Sequence, residues 1–231
     1  MLIQVLSDLS KACGHGSVGD LGVTCAPLLL ERLMTGGHQT GAEDAQTFTA
    51  WGAGTPDRFV FAALLGSCSA ATLSQLMPSV LAVLHSCLQK DRDAQMRLDL
   101  LKLLDQLFES KEQQGAFAPH AGTVLTEVLL PALVWHVGKT AAAIRYSAIV
   151  ATGSLLQAGL VTKPQLLDAM QSSDLLAALN SCLEEDYYAD TRQASCLVME
   201  HVLRVAGDGL SEEQRRAVYP EVITRVDLLL L

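Results

Sequence analysis

Asp91-Arg92-Asp93-Ala94-Gln95-Met96-Arg97, Lys139-Thr140-Ala141-Ala142-Ala143-Ile144-Arg145 and Asp186-Tyr187-Tyr188-Ala189-Asp190-Thr191-Arg192 are three versions of one segment. Each reads as a tight turn that opens a long Ala- and Leu-rich helix, and each closes on an arginine. The arginines follow one another at 48 and 47 residues. Before each turn lies a helix ending in apolar residues: Leu84 and Leu88, Leu133 and Val137, Leu179 and Leu183. A period of roughly 40–47 residues with two helices per unit is the mark of a HEAT- or armadillo-type array. The physical reason is that one helical hairpin cannot bury its own apolar faces and needs a neighbour on each side.

The pattern extends outward from these segments. Helical periodicity predicts helices near 57–68, 72–89, 93–109, 122–138, 140–157, 163–171, 173–184, 190–206 and 211–228, preceded by 1–13 and about 25–33. Asp93, Asp190 and Ser173 are candidate N-caps. Thr162 with Gln165 and Ser211 with Gln214 have the capping-box spacing, in which each partner satisfies an orphan backbone N–H. No segment sustains an alternation of period two, so no sheet is expected. The fold class is therefore all-α: an α-α superhelix of about four to five hairpins. Residues 1–34 read as a partial N-terminal repeat, 35–56 as a flexible loop with five Gly and five Thr, and 57–231 as the main array. The first residues pattern as a second helix, and Tyr219–Asp227 as a first helix without its partner. These open ends are expected of a piece of a longer solenoid.

Bulk properties narrow the function. Half of the 231 residues are hydrophobic but only 5% aromatic, which suits Leu/Ala helices better than an aromatic-rich sheet. Net charge is −9 with no basic run beyond Arg215-Arg216, so nucleic acid is not an expected partner. The six cysteines form no C-x-x-C pair and read as small buried hydrophobes, Cys13 excepted. The N-terminus lacks a basic n-region, and no run of 18 apolar residues occurs, so neither signal peptide nor transmembrane helix is expected. Those readings point to a cytoplasmic protein.

The repeat units resemble HEAT repeats, whose pattern is an acid closing the first helix and a hydrophobic-Arg pair opening the second. Asp91 with Met96-Arg97 fits. Asp186 with Thr191-Arg192 fits apart from the Thr, and Lys139 with Ile144-Arg145 replaces the acid by a base. Pro131 and Pro220 suit the proline often found in the first helix. By this resemblance Asp91, Arg97, Arg145, Asp186 and Arg192 form a structural ladder between units. As an exposed rung, each would contribute at most about 1 kcal/mol. The Phe59–Cys68, Leu98–Leu107 and Tyr219–Val222 stretches resemble HEAT-repeat assembly factors of axonemal dynein. That resemblance implies a non-enzymatic cytoplasmic factor for preassembly of dynein arms of motile cilia. Its partners would be axonemal dynein subunits and chaperone-linked factors, with no cofactor.

Candidate chemistry is thin. Gly14-His15-Gly16-Ser17-Val18-Gly19 matches a dinucleotide fingerprint, but a helix rather than a strand precedes it, so it reads as an inter-helix turn. No histidine motif has metal-ligand spacing; His85, His136 and His201 read as partly buried helix residues. Glu184-Glu185-Asp186 and Glu212-Glu213 are adjacent acids on helix ends, not carboxylates facing across a cleft. The first of these, with Tyr187-Tyr188, is also a candidate patch for a basic partner. Tyr187 and Tyr188 divide evenly between a stacking role and a partner contact. Trp51 is either an exposed anchor or packs on the nearest helix, and Trp135 reads as core. No nucleophile-base signature occurs. The expected function is a protein-binding scaffold. The alternatives are another HEAT adaptor, such as a transport receptor or phosphatase scaffold, and a helical enzyme or ligand-binding domain.

Overall fold

The computed structural model describes residues 2–16, 20–21, 24–25, 28, 61–63, 65–66, 68–172, 174–185 and 188–212. Among these residues every regular element is helical. Helix α1 is Leu2–Ala12. It ends in a Schellman motif: His15 N–H donates to Ser10 O, Gly14 N–H donates to Lys11 O, and Gly14 takes φ +78°. The first glycine of the fingerprint-like run is thus a helix stop. The loop predicted over 35–56 and its Trp51 lie outside the described residues, as do Ser17, Val18 and Gly19.

The array proper follows. Helix α2 is Ala70–Cys87, capped by the Ser69 hydroxyl, which accepts from Thr72 N–H. Helix α3 is Ala94–Glu109, capped by the Asp93 carboxylate, which accepts from Met96 N–H at 2.8 Å. Helix α4, Lys111–Leu133, starts one residue later. Helix α5 is Lys139–Gln157, α6 Lys163–Ser172, α7 Leu175–Leu183 and α8 Ala189–Ala206. The start of α6 is a reciprocal capping box. Thr162 N–H donates to Gln165 Oε1 at 2.9 Å, and Gln165 N–H donates to Thr162 Oγ1 at 3.4 Å.

Packing sorts these helices into two layers. In one layer α3 lies along α5, and α5 along α8. In the other α2 packs on the first turns of α4, while later parts of α4 meet α6 and α7. Among the described residues three hairpins are therefore complete: α2/α3, α4/α5 and the split α6–α7/α8. One continuous core runs through them from Phe61 to Leu210. Helix α5, central in its layer, is buried on both flanks. It does so with small residues (Ala142, Ala148 and Ala151) alternating with Ile149, Leu155 and Leu156. Phe108 and Phe117 meet edge-to-face at 5.2 Å where α3 turns into α4.

The repeat period is visible in hydrogen bonds as well as in helices. Gln113 Nε2 donates to Leu65 O, 48 residues away, Ser154 Oγ to the Asp105 carboxylate, 49 away, and Cys182 Sγ to Leu133 O, 49 away. Each joins one unit to the equivalent place in the next, which fixes the stacking register.

Several expectations change. Helix α4 begins at Lys111 rather than near 122, because Ser110 merely bends the chain and Pro119 fits a 3-10 turn, Ala118–His120, inside the helix. It ends at Leu133 rather than 138. Pro131 lacks the N–H for an i−4 bond and crowds the carbonyl of Glu127, and the backbone just before it widens into a π segment, Val124–Leu129. Trp135, expected in the core, thus falls in the connecting loop and is 55% exposed. His136 is exposed in that loop and His85 is exposed on α2, whereas His201 is half-buried. Finally, α8 begins at Ala189, so Asp190 sits in its first turn instead of capping it. Ser173, Ser211–Gln214 as a pair and the helix expected over 211–228 are not covered by the described residues.

Two helices, Ala70–Cys87 and Lys111–Leu133, are long and apolar enough by composition to cross a membrane. Their apolar sides are engaged in the core just described: Leu73, Met77, Val80 and Leu84 of α2 and Phe117, Leu125 and Leu129 of α4 are all fully buried.

Candidate protein-interaction site

The loops that join first-layer to second-layer helices line one edge of the array, and the repeat arginines converge there. Arg145 enters from the first turns of α5 and is 1% exposed. Its Nε donates to Glu185 Oε2 at 2.8 Å, its Nη2 reaches the same oxygen, and its Nη1 donates to His136 O at 2.6 Å. The Trp135 ring centroid lies 5.8 Å from the guanidinium carbon, which covers the charge from solvent with a favourable ring quadrupole. Glu185 is also 1% exposed. Its carboxylate holds Arg145 of the preceding unit, and its backbone carbonyl accepts from Arg192 Nη1 of its own unit. One residue therefore ties two repeat arginines together.

This rung differs from an exposed one. Both charges are out of water, so their pairing is a requirement of burial rather than a small surface bonus. Cys182 lies beside it and its thiol is pushed up to about 12, first by burial, with Arg145 opposing. Asp186 and Tyr187 lie outside the described residues. Tyr188 is at the rim, 36% exposed, and stacks on Tyr146 with ring centroids 6.4 Å apart.

Arg97 holds the equivalent position one unit earlier, at the start of α3, and is 7% exposed. Its surroundings are different. Buried Nε has no hydrogen-bond partner among the described residues. Burial holds its pKa below the ordinary arginine value, with the charge of Asp91 opposing the shift. No ion pair joins Arg97 to an acid among the described residues. Arg97 instead lines a cavity of about 360 Å³ together with Lys90, Arg92, His136, Val137 and Ile144. Arg92 Nε donates to Ser86 O at 3.3 Å, which fixes its stem at the cavity wall. Beside the cavity, Val134, Trp135 and Val137 are 43%, 55% and 77% exposed.

Sequence reasoning placed Arg97, Arg145 and Arg192 at corresponding positions but overlooked Glu185 as the acid of the rung, and it overlooked the Lys90–His136 cavity. A readable signal existed: Glu185 stands 40 residues after Arg145, and the residue 40 after Arg97 is Val137. Among the described residues no group of three or more His, Cys, Asp or Glu side chains is placed to hold a metal ion.

Stacked antiparallel helix pairs with buried inter-unit arginines and an exposed, partly apolar edge define a helical repeat protein. The chain is similar to dynein axonemal assembly factor 5. It is 32% identical to the human protein over 228 residues, 97% of this chain. It is 31% identical to the mouse protein over 159 residues and 29% identical to the Xenopus laevis protein over 163. The chain spans about a quarter of the length of the human relative, 25%, and 18% and 19% of the other two. No known family profile matches the chain, and no solved structure does.

Proposed function

We propose that this chain is a non-enzymatic, HEAT-type protein-binding scaffold that acts in the cytoplasm in preassembly of axonemal dynein arms. The observation that carries the reading is the match to dynein axonemal assembly factor 5 over 97% of the chain. The two-layer architecture supports it physically. A solenoid presents a continuous edge, and a partner chain can lie across several units without any one of them providing a deep pocket. The ladder positions Arg97, Arg145 and Arg192 serve that role by fixing how units stack, with Asp91 and Asp186 at the turns. Tyr188, with Tyr187 beside it in sequence, and Trp51 are the proposed partner contacts. Tyrosine and tryptophan bury large rigid surfaces at low entropic cost. Axonemal dynein subunits and chaperone-linked assembly factors are the partners this reading requires; no cofactor is required.

Affinity capture with the tagged chain in a lysate of ciliating cells, read by quantitative mass spectrometry, tests it. Enrichment of axonemal dynein heavy or intermediate chains over a scrambled helical-repeat control supports the reading. Equal recovery from both baits removes it.

A further inference from the structure

Arg145 and Arg97 occupy the same place in successive units, yet Arg145 is neutralised from within and Arg97 pairs with no acid among the described residues. The acid that holds Arg145 stands 40 residues beyond it. The corresponding position for Arg97 is Val137, an apolar residue 77% exposed at the edge of the cavity that Arg97 lines. The cavity therefore opens where a carboxylate sits in the next unit. Its other basic lining groups are Lys90, Arg92 and His136, a concentration of positive charge on a chain whose net charge is −9. Two acids share the turn. The Asp93 carboxylate is committed to the α3 cap through Met96 N–H, and exposed Asp91 acts on Arg97 only at a distance. The neighbouring 134–137 loop adds Val134 and Trp135 as an apolar shelf.

We propose that this edge docks an acidic segment of a partner polypeptide, whose Glu or Asp carboxylate takes on Arg97 the place that Glu185 takes on Arg145. The inference rests on the scaffold reading above and specifies its binding chemistry. A buried guanidinium with an unmade Nε–H bond gains both a hydrogen bond and an opposite charge from an incoming carboxylate, but only the hydrogen bond from a neutral amide. Lys90 and Arg92 steer the acid inward, and Val134, Trp135 and Val137 receive apolar neighbours of the acid. Three exposed apolar residues around a basic cavity fit a segment in which Glu or Asp alternates with Leu-like residues. A wholly acidic tail would leave the shelf uncovered.

The test uses the full chain and a fluorescein-labelled heptapeptide, acetyl-Leu-Glu-Glu-Leu-Glu-Glu-Leu, with its all-Gln counterpart, read by fluorescence anisotropy. The Glu peptide binds, and the Gln peptide binds at least about tenfold more weakly, the loss of the opposite charge beside the buried guanidinium. Val137→Glu supplies the acid from within, so it weakens the Glu peptide by a similar factor while raising the unfolding midpoint. Exposed Lys90→Glu weakens it several-fold with unchanged circular dichroism. Equal affinity for the two peptides overturns the proposal. So does a folded Val137→Glu protein that binds as wild type, or the absence of measurable affinity for the Glu peptide. Lysate capture separates the two levels of inference. If Val137→Glu still enriches dynein subunits, the docking site is wrong and the scaffold reading stands; if the wild-type chain enriches none, the scaffold reading itself falls.

Discussion

Replacing Glu185 by alanine removes the carboxylate that holds Arg145 and keeps the backbone carbonyl that holds Arg192, and its cost follows from burial. Arg145 and Glu185 are each 1% exposed, and the carboxylate receives both Nε and Nη2 of the guanidinium. Glu185→Ala leaves a full positive charge in a dry site with a single remaining acceptor, His136 O. Breaking a buried pair from one side costs about 3–5 kcal/mol. An exposed pair would cost about 0–1 kcal/mol, so the two descriptions are well separated. At roughly 2–4 °C per kcal/mol for a chain of this size, the midpoint falls by about 6–20 °C. Replacing both partners, Arg145→Met with Glu185→Leu, removes the uncompensated charge along with the pair. It returns stability to within about 1–2 kcal/mol of wild type, with His136 O the main unpaired group. The assay is urea unfolding followed by far-UV circular dichroism for wild type, both single variants and the double variant, closing a double-mutant cycle. A single-variant loss below about 1 kcal/mol, or a double variant worse than either single, would refute the claim that burial makes this rung obligatory.

Three further predictions follow from local geometry. Thr162→Ala removes the hydroxyl acceptor of the α6 capping box and lowers stability by about 1 kcal/mol, with Thr162→Ser close to wild type; urea midpoints decide this, and equal midpoints for the Ala and Ser variants would contradict the cap. Burial raises the thiols of Cys87, to about 11, and Cys182, to about 12, above their ordinary value of 9.0. Because the unfolded chain loses those protons first, their contribution to stability is complete below pH 9 and declines as pH rises from 9 toward 11–12. The same burial leaves Cys13 the fastest-reacting thiol among the described cysteines, half-buried Cys25 slower, and Cys68, Cys87, Cys182 and Cys196 modified only on unfolding. Maleimide labelling read by peptide mass spectrometry checks the order, and early modification of Cys182 would contradict the packing between α7 and α8.

The sequence by itself determined the helical class, the two-helix unit and its period of nearly fifty residues. Apolar spacing, turn positions and caps are local properties, and local properties survive without knowledge of what they pack against. That is why Asp93 and the Thr162–Gln165 box were legible before any coordinates. Tertiary structure alone decided which acid each arginine meets. Three acids stand together at 184–186, and only the packing of α5 against α8, and of α7 against the end of α4, brings Glu185 to Arg145 while leaving Glu184 exposed. It also decided the fate of Trp135. Its neighbours in sequence are apolar, but the helix ends at Leu133, after Pro131 and the π segment, and the indole is carried out to the edge. A pairing across 40 residues, or the lack of one at Arg97 and Val137, depends on how two units stack, and that stacking is written in no single stretch of chain.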